Sequence, residues 1–173
     1  MKKNPWIVLC IITIIAGLVL GLTDMITREP IKEQEEKALQ ASLSKVMPEA
    51  EFVPMEDAKG LEGLYEAKKG DETVGYVGKI TVTGYKPGIV IVMGVDMEGK
   101  ITGIDVGGTS FSETAGLGTR TREPKFTDQF VGLEASPVVD ENVDALTGAT
   151  ISSTAVITGA STIYDAIAAQ MAE

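Results

Sequence analysis

Apolar residues are spread very unevenly along the chain. Positions 6–23 read WIVLCIITIIAGLVLGLT, eighteen residues without a charge. A run of that length predicts one helix able to cross the hydrocarbon core of a bilayer. Lys2 and Lys3 precede it and Asp24 follows, so the positive-inside rule places the N-terminus in the cytoplasm and everything after the span outside. A cleaved signal peptide is the competing reading. No small-x-small site follows the run, since Gly21-Leu22-Thr23-Asp24 matches poorly, and this favours a retained single-pass anchor in the cytoplasmic (inner) membrane.

Beyond the span the pattern changes period twice. Between 26 and 47, Ile31, Ala38, Leu39, Ser42/Leu43 and Val46 recur at mainly three, four and seven, which predicts an amphipathic connecting helix. Pro30 would fall in its first turn and Pro48 would close it. Strand-like runs follow at 63–68 and 73–83, where Val74, Tyr76, Ile80 and Val82 share a face by period two. After the turn Tyr85-Lys86-Pro87-Gly88, residues 88–95 are almost wholly apolar, as in a strand buried on both faces. Met97-Glu98-Gly99-Lys100 then turns the chain into a hairpin with 101–106. From about Thr150 to Ala172, Val156, Ala160, Ile163, Ile167 and Met171 return to helical spacing. The expected fold is α+β, an antiparallel sheet with packed helices preceded by one N-terminal transmembrane helix. The expected divisions are an anchor over 1–25, a connecting helix over 26–48 and an extracytoplasmic domain over 49–173.

Composition narrows the chemistry. The chain has no histidine and a single cysteine, Cys10, inside the apolar run. Iron–sulfur clusters need several thiolates, and haem or zinc sites of the usual kind need histidine or cysteine sets, so no metal site is expected. Histidine bases and triads are excluded too, and no residue reads as a catalytic group. An electron carrier built on this chain would have to use an organic cofactor. Lys2 and Lys3 give the first 23 residues +2, which leaves −12 on the rest of a chain whose net charge is −10. A body so acidic and without a basic cluster is a poor partner for nucleic acid. In the span, Gly17 and Gly21 form a small-xxx-small pair suited to close helix packing.

Two short segments carry specific chemistry. The first is Asp144-Ala145-Leu146-Thr147-Gly148-Ala149-Thr150. It resembles the flavin-attachment signal of the FMN-binding domain family, in which the last threonine holds FMN through a phosphoester. Thr150 takes that position, Thr147, Gly148 and Ala149 lead to it, and the resemblance makes Asp144 a recognition residue for a flavin transferase. The string also reads as an ordinary helix start with Thr147 as N-cap. The second segment, Ser112-Glu113-Thr114-Ala115-Gly116-Leu117-Gly118, is similar to the family's Glu-Thr-Pro-Gly-Leu-Gly loop, with Ala115 in place of proline and Phe111 where relatives often have histidine. Alone it would be a glycine turn between strands. Gly116-x-Gly118-x-x-Thr121 nearly matches a dinucleotide fingerprint, but no βαβ unit surrounds it.

The resemblance is nearest to the G subunits of the Rnf ion-translocating electron-transport complex, and next to the C subunits of the sodium-pumping NADH:quinone reductase. It implies covalent FMN on Thr150, with ring contacts from Thr114 and Leu117 and close backbone approach at Gly116 and Gly118. Glu113 is the one acid beside such a site, an exposed loop glutamate being its alternative reading. The implied role is an electron relay in a membrane complex that couples ferredoxin:NAD electron transfer to Na+ or H+ translocation, among other membrane, iron–sulfur and flavin subunits. A stand-alone anchored flavoprotein of an extracellular electron chain is a second reading, and a flavin-free anchored binding module a third.

Overall fold

The structure is a computed structural model that describes residues 5–172. It separates into two compact units, residues 1–37 and 38–173.

Within the first unit, residues 5–37 belong to helix α1 (Pro5–Val46), which continues unbroken past the end of the apolar run. It is the one helix among the described residues long and apolar enough to cross a membrane. The hydroxyls of Thr13, Thr23 and Thr27 donate to the carbonyls of Leu9, Val19 and Thr23 at 2.8–2.9 Å. Bonding back in this way leaves no hydroxyl unsatisfied among apolar neighbours. An Arg28–Asp24 ion pair at 2.7 Å bridges one turn where charges begin. The sequence places Pro30 at the start of a new element, whereas here it lies inside the same helix. Proline removes one main-chain donor, a loss that a long helix absorbs when the turns on either side remain bonded.

The second unit is a five-stranded antiparallel meander in the order β1 (Glu51–Pro54), β2 (Gly63–Lys69), β3 (Glu72–Thr83), β4 (Pro87–Asp96) and β5 (Ile101–Gly107). After β5 come a 3-10 turn at Gly118–Arg122, the short helix α2 (Pro124–Thr127) and the long helix α3 (Thr150–Met171). The expected α+β class, the central hairpin and the last helix are all present.

The central strand β4 faces two cores. Ile89, Ile91, Met93 and Val95 join Val156, Ile157, Ala160, Ile163 and Ile167 of α3 in the larger one. Val90 and Val92 point the other way, towards Leu43, Val46 and Met47. The last turns of α1 are therefore part of the domain and cover the second face of the sheet. Full burial of Leu43 and Val46 contributes about 1.5–3 kcal/mol for each side chain. Polar contacts reinforce the seat: Asp105 of β5 accepts from Ser42 Oγ at 2.7 Å and from Lys45 Nζ, while Thr102 Oγ1 donates to the Val46 carbonyl at 2.8 Å. Gly103 makes the close approach possible, since a Cβ there would lie 3.1 Å from Val46 Cα.

One expected face assignment fails. Val74 packs with Leu43 and Val77, opposite Tyr76, Ile80 and Val82. The register slips between Ala67 and Lys68, where Ala67 faces Gly75 but Lys68 faces Thr73. Val74 is the extra residue of a bulge, and the bulge breaks the period-two rule.

Candidate flavin site

The two sequence motifs, well separated along the chain, meet at one cavity. Ser152 Oγ in the first turn of α3 donates to Glu113 Oε2 at 2.9 Å, joining segments 39 positions apart. The cavity holds about 530 Å³, within the range of small-molecule and cofactor sites. One wall is the loop after β5, with Glu113, Thr114, Leu117 and Gly118; the other is the start of α3, from Gly148 to Ser152; Tyr85, from the turn before β4, completes the lining.

The α3 wall is shaped by how the helix begins. Its N-cap is Ala149, at φ −134° and ψ 31°, with no side-chain cap. The string does start a helix, but Thr147 is not its cap. The first helical bond runs from Ser153 N to the Ala149 carbonyl at 2.9 Å. The N–H groups of Thr150, Ile151 and Ser152 thus belong to the uncapped first turn, where the positive end of the helix dipole favours an anion. Thr150 is exposed at this terminus. Gly148 takes φ +82°, a left-handed conformation that favours glycine. Below the turn, the buried Ser153 Oγ accepts from Leu146 N and donates to the Ala149 carbonyl, both at 3.0 Å. From outside, Arg120 donates to the Thr147 carbonyl at 3.2 Å.

The loop wall is held by Glu113. It is only 7% exposed, so the surface-glutamate reading is overturned. Lys86 N donates to Oε1 at 2.9 Å, and Ser152 Oγ occupies Oε2. Gly118 lies against this carboxylate so tightly that a Cβ would collide with Oε2 and sit 2.9 Å from Ser152 Oγ. Beyond it, Leu117 is 44% exposed, Ile151 61% and Tyr85 66%. Three apolar or aromatic side chains left uncovered around one cavity suit a flat, largely apolar ligand with an anionic end at the helix start.

Most residues singled out in the sequence converge here: Glu113, Thr114, Leu117, Gly118, Gly148, Ala149 and Thr150 all line the cavity. Gly116 and Thr147 do not. Both are exposed beside it, and Gly116, at φ +75° with open space around it, serves the turn geometry. Asp144 is exposed on the approach to α3, its N–H donating to Gln129 Oε1 at 2.9 Å. At the position of the relatives' histidine, Phe111 carries the Arg122 guanidinium 5.1 Å from its ring centre. Sequence reasoning misses Tyr85, Ile151, Ser152 and Ser153. The adjacent serines at the helix start are the available signal, since small hydroxyls there commonly bond to nearby main chain.

Residues 84–165 match the FMN-binding domain family, a span that contains both walls of the cavity. Over 158 residues the chain is 30% identical to the G subunit of the proton-translocating ferredoxin:NAD(+) oxidoreductase complex of Clostridium ljungdahlii, covering 87% of this chain and 83% of that one. It is also 30% identical over 179 residues to the G subunit of the Na(+)-translocating complex from Acetobacterium woodii, covering 88% and 85%. Among solved structures, the C subunit of the Na(+)-translocating NADH-quinone reductase from Parabacteroides distasonis aligns at 19% identity with a TM-score of 0.48, over 61% of this chain and 62% of that one. The chain belongs to the family of G subunits of ion-translocating ferredoxin:NAD oxidoreductase complexes.

Proposed function

We propose that this chain is the electron-relay subunit of a membrane complex that couples ferredoxin:NAD electron transfer to ion translocation, and that it carries FMN covalently on Thr150. The observation that carries the reading is the exposed Thr150 hydroxyl at the uncapped start of α3, on the rim of a cavity whose walls come from both motifs. A phosphate esterified there would meet the free N–H groups of the first helical turn. Leu117, Ile151 and Tyr85 would cover the ring, and Thr114 and Gly118 would border it. FMN, when bound, supplies the redox chemistry, while the protein supplies orientation, burial and electrostatics.

Condensing FMN itself with a hydroxyl would have to expel water in water. The donor is therefore an activated flavin pyrophosphate such as FAD: the Thr150 oxygen bonds to the flavin phosphorus, AMP leaves, and the hydroxyl proton passes to solvent. A separate transferase would catalyse this step, reading Asp144 and the exposed turn after it. Tethering suits a domain outside the cytoplasm, where a dissociated flavin would be lost by dilution.

Purification of the full chain in mild detergent tests the larger role. Recovery with several polytopic and iron–sulfur subunits, and loss of ferredoxin-dependent NAD reduction in membranes of a deletion strain, are expected. Recovery as a free monomer, with that activity intact in the deletion strain, would favour a stand-alone anchored flavoprotein.

A further inference from the structure

Glu113 is a buried acid that attachment of the flavin does not require. Its two oxygens accept from two different elements, Lys86 N ahead of β4 and Ser152 Oγ in the first turn of α3. One oxygen takes a main-chain N–H and the other meets a hydroxyl, so both are satisfied in place without water. Space around it is tight: a Cβ at Gly118 would collide with Oε2, and one at Gly84, which would first meet Ile89 Cδ1, would lie 2.7 Å from Oε1. The side chain nonetheless lines the cavity. A surface role explains neither the burial nor the glycine at 118.

We infer that Glu113 is a fixed negative charge in the cavity wall that holds the reduction potential of the bound flavin low; this rests on the reading that the cavity holds FMN. Reduction by two electrons with uptake of one proton leaves the ring with an added negative charge. A carboxylate held nearby opposes that charge, and burial keeps water and salt from screening it. The same carboxylate joins the two walls of the cavity to the turn ahead of β4, so it also positions them. The two roles separate experimentally, because only the first depends on charge.

Glu113→Gln is the main test, in the full flavin-loaded chain in detergent. Its amide can accept from Lys86 N and donate to Ser152 Oγ, so the joint survives while the charge is lost. Spectroelectrochemical titration with dithionite, which is oxidised to sulfite as the flavin is reduced, at mildly alkaline pH should give a more positive midpoint than wild type. Glu113→Ala should shift the same way, which covers the case in which the amide folds poorly. Glu113→Asp retains the charge and should stay nearer wild type than either. A potential unchanged or more negative in the neutral variants, with the flavin still attached, overturns the inference. Wild-type protein that carries no flavin overturns the reading beneath it, a result visible before any titration.

Discussion

Ser153→Ala tests what holds the turn that leads into α3. Ser153 Oγ is the acceptor for Leu146 N at 3.0 Å, and both residues are buried. Alanine leaves that N–H without its acceptor and away from water, which costs about 1–3 kcal/mol. Removing the bond to the Ala149 carbonyl adds little, because Ser153 N still donates to that oxygen. For a domain of this size each kcal/mol lowers Tm by roughly 3 °C, so a fall of about 3–9 °C is expected. The comparison belongs in a Thr150→Ala background, since a bound flavin would itself raise Tm. Thr158→Ala, on the exposed side of the same helix, is the control and should melt at or slightly above the parent, alanine being the better helix former. In protein with Thr150 intact, Ser153→Ala should also lower flavin loading. A Ser153→Ala Tm within about 1 °C of the parent would refute the role given to the Ser153–Leu146 hydrogen bond.

Leu117→Ala should alter the absorption or potential of the attached flavin while changing stability by less than about 0.5 kcal/mol, because the side chain is half exposed at the cavity; an unchanged spectrum and potential would make the loop structural only. Phe126→Ala removes a fully buried ring that packs edge-on against Phe130 at 5.4 Å and should cost about 3–5 kcal/mol in chemical denaturation. Protease added to intact spheroplasts should digest the domain after the span; protection, or a mature N-terminus near Asp24, would contradict an outward-facing domain on a retained anchor.

What is legible in the sequence is what depends on local period. The apolar run 88–95 marks β4, and the spacing of Val156, Ala160, Ile163 and Ile167 marks the buried face of α3. What escapes depends on partners far along the chain. Val74 changes face because of a bulge opposite Ala67 and Lys68, which no single strand announces. Phe126 and Phe130 do not stand out as core, since Phe126 lies in a helix only four residues long and Phe130 just beyond it, too short a stretch to show a period. The burial of Glu113 follows from donors 27 and 39 positions away. The motifs point to Thr150 and most of the cavity lining, but Tyr85 and the two serines join it only through the fold.

The measurement closest to the central claim is peptide mapping by mass spectrometry of native protein, wild type and Thr150→Ala. The account predicts that the wild-type peptide containing 144–150 is heavier by FMN less one water, with fragmentation placing the addition on Thr150. It predicts that Thr150→Ala carries no flavin, yet folds with a stability within about 0.5 kcal/mol of unmodified protein, as expected for an exposed side chain. Flavin retained in Thr150→Ala after denaturation, or mapped to Thr147 in wild type, would contradict it.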